Sequence, residues 1–200
     1  MNHDDRSIRP TDRSQSGLTL IELMVTVGVI GLVMVILSGI LTSSSHLQSR
    51  TARRAAVQAD SRQTLDLMGN ELRQAGADPS MPPVGITGIQ SADSLSVRIQ
   101  ADLNGDGVIQ TAEPSEDVTY AYDAGQKAIT RNPGAGAAVV MDHVTAMSFS
   151  YYDSSNNLLG PYPLSAANCA LVHSIGVTIT CEDKDSHPLT LTTRIGLRNM

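Results

Sequence analysis

Three patterns of hydrophobic and polar positions follow one another along the chain. Residues 1–17, MNHDDRSIRPTDRSQSG, are polar, with Arg6, Arg9 and Arg13 set against Asp4, Asp5 and Asp12. From Leu18 to Leu41 the run LTLIELMVTVGVIGLVMVILSGIL is apolar except at Thr19, Glu22, Thr26 and Ser38. At 1.5 Å per residue it makes a helix of about 36 Å, long enough to span a bilayer. From Thr42 to Ala75 there is no proline and no glycine but Gly69, and Leu47, Leu65, Met68, Leu72 and Ala75 fall at spacings of one helical face. The spacing predicts an amphipathic continuation of the helix over residues 42–76, with Gly76 as its stop just before Asp78-Pro79.

Beyond Met81-Pro82-Pro83 the period changes to two. Val118, Tyr120 and Tyr122 share one strand face, Met147, Phe149 and Tyr151 another, then Ile175, Val177, Ile179 and Cys181, and finally Leu189, Leu191, Thr193, Ile195 and Leu197. Asp123-Ala124-Gly125 and Ser154-Ser155-Asn156-Asn157 stand between such runs as hairpin turns. The fold class this predicts is α+β: a long N-terminal helix whose C-terminal half packs against a small antiparallel sheet, which forms the head over residues 77–200.

Composition narrows the function. The chain has 200 residues, 41% of them apolar, which suits one globular domain plus extra apolar material. Its net charge of −6 offers no basic footprint, so no nucleic-acid partner is expected. With no Trp and a single Phe, Phe149, there is little for stacking platforms or aromatic cages. His3, His46, His143, His173 and His187 are scattered, and neither G-x-S-x-G nor G-x-x-x-x-G-K-[ST] occurs. No catalytic residue is assigned, and the chain is not read as an enzyme.

Chemistry concentrates first at the start of the apolar run. A secretory signal peptide places its small cleavage residue after the apolar core, whereas Gly17 precedes it, so a cut there keeps the anchor on the product. An uncut signal anchor is the simpler alternative. Glu22 separates the two, because a carboxylate within a membrane helix costs roughly 2.5 to 3.5 kcal/mol and calls for a partner. Snorkelling to the interface is one way out. A cut after Gly17 supplies another, since the new amino group of Leu18 on a neighbouring subunit would neutralise Glu22 in lipid.

Gly17 followed by LTLIELMVTVGVIGLVMVIL resembles the type IV prepilin signature: a glycine, a hydrophobic first residue, and glutamate fifth after the cut. Leu18 stands where that family usually has phenylalanine. The resemblance implies a leader over residues 1–17 and a transmembrane and polymerisation helix over 18–41. It also implies a prepilin peptidase that cleaves between Gly17 and Leu18 and methylates Leu18, and a Glu22 that guides assembly with other pilin or pseudopilin subunits. It places the chain in the inner (cytoplasmic) membrane as a single span with its head outside the cytoplasm, then in a filament. Where major pilins carry a helix-breaking proline, this chain has Ser38-Gly39 as a softer hinge. NELRQAGA (Asn70 to Ala77) and TTRIGLRN (Thr192 to Asn199) resemble the PilW-type minor pilins, with the J-type minor pseudopilins of type II secretion next.

A second motif lies in the head. Asp102-Leu103-Asn104-Gly105-Asp106-Gly107-Val108-Ile109-Gln110-Thr111-Ala112-Glu113 fits D-x-[DN]-x-[DN]-G-x5-E at every fixed position. That spacing offers hard oxygen ligands to Ca²⁺: the side chains of Asp102, Asn104, Asp106, Gln110 and Glu113 and the carbonyl of Val108. The flanks SLSVRIQ and DVTYAY read as strands, so a structural clamp is expected rather than a sensor that opens. A plain polar turn at Asn104-Gly105-Asp106-Gly107 is the alternative.

Cys169 precedes a predicted strand and Cys181 closes it, and the two lack the companions of a zinc site. A disulfide or two buried thiols are both open. Three functions follow in order: a minor pilin of a type IV pilus, a minor pseudopilin of a secretion system, or a membrane-anchored calcium-dependent binding module.

Overall fold

The structure, a computed structural model, describes residues 19–111, 115–182 and 188–199, without the side chains at 45–47 and 50. The predicted leader, Gly17, Leu18, Glu113 and the side chain of Leu47 therefore lie outside the described residues. Two compact units divide the chain, the first ending at Arg50 and the second covering Thr51–Met200.

One helix, α1, runs Leu20–Gln74 and is helical through Ser38 and Gly39. Its start is set by Thr19, whose hydroxyl accepts the Glu22 N–H at 3.3 Å and whose carbonyl accepts the Leu23 N–H at 3.1 Å. Its stop is Gly76, which takes a φ of +76° that a side chain would disfavour, while the Ala77 N–H closes back on the Gln74 carbonyl at 2.9 Å.

In the first unit the described apolar side chains of α1 are exposed. Leu20–Ser44 has a mean hydropathy of 2.7 and none of it is covered. In the second unit α1 shows the predicted face: Met68, Leu72 and Ala75 are fully buried and Leu65 nearly so.

That face meets two antiparallel sheets, where the sequence pattern suggested one. β1 (Ile89–Ala92), β2 (Ser96–Gln100), β3 (Asp117–Asp123), β4 (Ala128–Asn132) and β5 (Ala138–Met141) form a meander in that order. β6 (Val144–Tyr152), β7 (Ser174–Glu182) and β8 (Pro188–Gly196) form the second sheet, with a short helix α2 (Ala166–Cys169) between β6 and β7. The Asp123 turn joins β3 to β4 as expected, its carboxylate accepting the Gly125 and Gln126 N–H groups. The turn at Ser154 folds the chain back onto β6 for a single antiparallel bridge, Tyr152 with Leu158, and not into a second full strand. Asp153 and Asn157 close it, and the chain then passes through a lone bridge at Leu158 and through α2 before β7 begins.

The alternation in β6 and β7 is realised as drawn: Met147, Phe149, Tyr151, Ile175, Val177, Ile179 and Cys181 all point inward. β8 obeys it less strictly, with Ile195 and Leu197 buried and Leu189, Leu191 and Thr193 half-buried. Tyrosine hydroxyls sew the sheets together. Tyr122 donates to Val144 O and Thr145 O, and Tyr151 donates to Asp93 O and Ser96 O. Each large side chain in this shared core, such as Phe149, Met68 or Leu72, contributes roughly 1.5 to 3 kcal/mol by leaving water.

Candidate functional site

The apolar part of α1 is built to present hydrocarbon outward. Its few hydroxyls are turned back on the helix: Thr26 donates to Leu23 O at 2.8 Å, Ser38 to Met34 O at 2.8 Å and Thr42 to Ser38 O at 2.8 Å. Backbone and hydroxyl groups are thus satisfied internally, as a lipid environment requires. Leu20, Ile21, Met24, Val35 and Leu41 are each more than 60% exposed, a continuous apolar surface that needs lipid or other helices to cover it.

Glu22 departs from this rule. It is the sole charged residue from Leu18 to Leu41, and its side chain is exposed in the first turn of α1. Its carboxylate stands at the N-terminal end of the helix among apolar neighbours in sequence.

Residues 12–38 match the family model described as the prokaryotic N-terminal methylation motif. The chain carries a type IV pilin-like prepilin signature. The match runs from the polar N-terminal stretch to Ser38 and so takes in Gly17, Leu18 and Glu22 together. A motif of this kind implies processing by prepilin peptidase and an anchoring helix. No match to a curated protein was found.

In the head, the acidic loop fills the connection between β2 and β3. Asp102 is fully buried, and its two oxygens accept the N–H groups of Gly105 at 2.6 Å and Gly107 at 2.9 Å. Asn104 accepts the Asp106 N–H and Asp106 accepts the Val108 N–H. The amides of Asn104 and Gln110 both donate to Asp106 Oδ2, at 3.0 Å and 2.5 Å. Gly105 and Gly107 take φ near +78°, and the latter leaves its inner side to Val84. Asp102, Asn104, Asp106 and Gln110 are therefore drawn to one turn. Among the described residues no three His, Cys, Asp or Glu side chains converge. The loop supplies two of its carboxylates, and its third motif carboxylate, Glu113, lies outside the described residues.

The residue that shapes this loop was not among those the motif named. Glu116 is 2% exposed, and its carboxylate accepts three backbone N–H groups: Leu103 at 2.7 Å, Asn104 at 3.1 Å and Gln110 at 3.0 Å. It grips both ends of the turn at once. Its own main chain pairs with Gln110 and Ala101, completing the closure. The available signal was its place directly before the alternating run that begins β3.

Of the two states left open for the cysteines, the structure has the buried thiols. Cys169 and Cys181 are both free and buried. Cys169 ends α2 close to the start of β7, while Cys181 lies seven residues along that strand from Ser174, about 23 Å at strand rise. A disulfide needs Cα atoms within about 7 Å, so an extended strand between the two thiols forbids it. Cys181 Sγ instead lies 3.5 Å from the Ser61 hydroxyl of α1.

Proposed function

We propose that this chain is a minor pilin subunit, of the PilW type, of a type IV pilus. Prepilin peptidase cuts after Gly17 and methylates Leu18, and the exposed apolar surface of α1 packs among the helices of other pilin subunits. The observation that carries this proposal is the methylation motif across residues 12–38, with one carboxylate, Glu22, in an otherwise apolar helix. The protein waits in the inner membrane with its head outside the cytoplasm until it is drawn into a filament. No catalytic function is assigned to it.

In this account the loop over residues 102–113 holds Ca²⁺ as a structural clamp. The donor set is oxygen throughout, as the hard cation prefers. Asp102, Asn104, Asp106 and Gln110 share one turn, and Val108 and Glu113 complete the motif. Bound calcium would supply positive charge that draws these oxygens together. The backbone bonds to Asp102 and Glu116, which fix the turn, support this reading.

Intact mass of the protein from its native membrane tests the first proposal. A mature species beginning at methylated Leu18, lost when Gly17 is replaced, supports it. A species that retains residues 1–17 overturns it and favours an anchored binding module. Glu22→Ala is the companion test: the variant stays in the membrane but is missing from sheared filaments. A pseudopilin would pass both tests yet be recovered with a secretion system rather than with pili.

A further inference from the structure

β5 is the last strand of its sheet, and its outer side pairs with no other strand among the described residues. Such an edge offers N–H and C=O groups that can template an added strand. Beside it runs a trough of about 650 Å³ walled by Asp60, Asp66 and Leu67 of α1 and by Val139, Met141 and Asp142. A second hollow of about 240 Å³ continues it toward Ala56 and Glu182 and shares Asp60, Met141 and Asp142 with the first. From Ala56 to Leu67 the helix rises about 17 Å, the length of about five residues of extended chain.

The walls say what kind of chain fits. Val139 is 53% exposed and Leu67 39%, so the floor has apolar ground for side chains. Asp60, Asp66, Asp142 and Glu182 line the two hollows against Arg53 and His143. Asp142 is engaged by His143 Nδ1 at 2.7 Å, while the carboxylates of Asp60 and Asp66 make no hydrogen bond or ion pair among the described residues. The field in the trough is therefore negative and suits a cationic occupant. Its backbone surface suits an extended one, because a helix keeps its N–H and C=O groups to itself. Val140 O receives the Thr64 hydroxyl at 3.5 Å, a long contact that an amide donor of an added strand would replace.

We propose that the trough between α1 and β5 docks an extended, lysine- or arginine-bearing segment of another protein chain, which pairs with the edge of β5 and sets its cations against Asp60 and Asp66. This surface is independent of both the methylation motif and the acidic loop.

The test uses the full chain in detergent micelles, labelled with ¹⁵N-valine. It is titrated with a heptapeptide of alternating lysine and valine, and separately with its glutamate and valine counterpart. The expected result is saturable movement of the Val139 and Val140 amide signals with the cationic peptide and little with the anionic one. Asp60→Asn/Asp66→Asn changes two exposed side chains, keeps the circular dichroism of the head, and weakens binding roughly tenfold. Absence of saturation with the cationic peptide, equal response to both peptides, or movement confined to valines away from β5, such as Val177 of β7, overturns the proposal. Concentration-dependent movement of the same valines without peptide also overturns it, assigning the trough to a second copy.

Discussion

Glu71 of α1 and Arg131 of β4 form a two-pronged ion pair, with Arg131 Nη2 2.7 Å and Nε 3.0 Å from Glu71 Oε1. The hydroxyl of Tyr120, on the neighbouring strand β3, donates to Glu71 Oε2 at 2.5 Å. A charge half-hidden between helix and sheet costs desolvation, and this arrangement offsets it with three directed bonds. Burial, then the Glu71 carboxylate, push the Tyr120 hydroxyl well above its ordinary range, so it remains a donor at every working pH.

Glu71→Ala should therefore cost more than the loss of one contact, because it strands both Arg131 and Tyr120. About 2 to 3 kcal/mol is expected, read as a lower urea midpoint with unchanged slope. Glu71→Met with Arg131→Met should recover most of that loss. A double variant as unstable as the single one would mean that the loss does not come from stranding the Arg131 charge.

Arg98 and Asp117 lie opposite one another's neighbours on β2 and β3 and pair at 2.5 to 2.8 Å. The Arg98 guanidinium holds the Asp117 carboxyl below the usual carboxylate range; burial opposes this and Gln100 assists it. Because the folded value lies below the unfolded one, the stabilisation is fully present above about pH 4 and is lost as pH falls through the folded value. Arg98→Met should thus be less stable than the parent at neutral pH, and the two should converge in acid. A gap that stays constant across that range would rule out the linkage.

The helix and half of the sheet structure could be read from the sequence because long periodic runs decide them. Met68, Leu72 and Ala75 repeat on one helical face, Gly76 breaks it, and Ile175 to Cys181 alternate without exception. The division into two sheets was not legible. β1 and β5 are four residues each, too short for a period to emerge, and their places are set by pairing with β2 and β4. Glu116 escaped because motif spacing directs attention to Glu113, while its burial depends on a strand start that tertiary packing fixes. The state of Cys169 and Cys181 stayed open in the sequence for a related reason: that the segment between them contains most of an extended strand is fixed by pairing with β6 and β8.

Both thiols are raised by burial, and Cys181 is partly relieved by Ser61. Alkylation of the folded protein at neutral pH should leave both unmodified, and denaturation should release two reactive thiols without a reductant. A reductant-dependent yield would indicate a bridge and contradict the strand geometry.

Glu116 offers the sharpest test of the acidic loop. Its carboxylate takes N–H groups from Leu103 and Asn104 at one end and Gln110 at the other, so the turn that presents Asp102, Asn104 and Asp106 is fixed from outside the motif. Glu116→Gln keeps the size but puts an amide donor where one of these N–H groups must be accepted, which should cost about 1 to 3 kcal/mol. If the loop holds calcium, the ion at about 100 times its dissociation constant should stabilise the parent by about 2.7 kcal/mol. The Gln variant should need more calcium for the same rise in melting temperature, and Asp102→Asn should abolish it. Magnesium should do less, because the smaller ion keeps its water and demands a stricter geometry. If calcium leaves the melting temperature of the parent unchanged while Glu116→Gln still lowers it, the loop is a polar turn locked by Glu116, and the clamp is made by the chain alone.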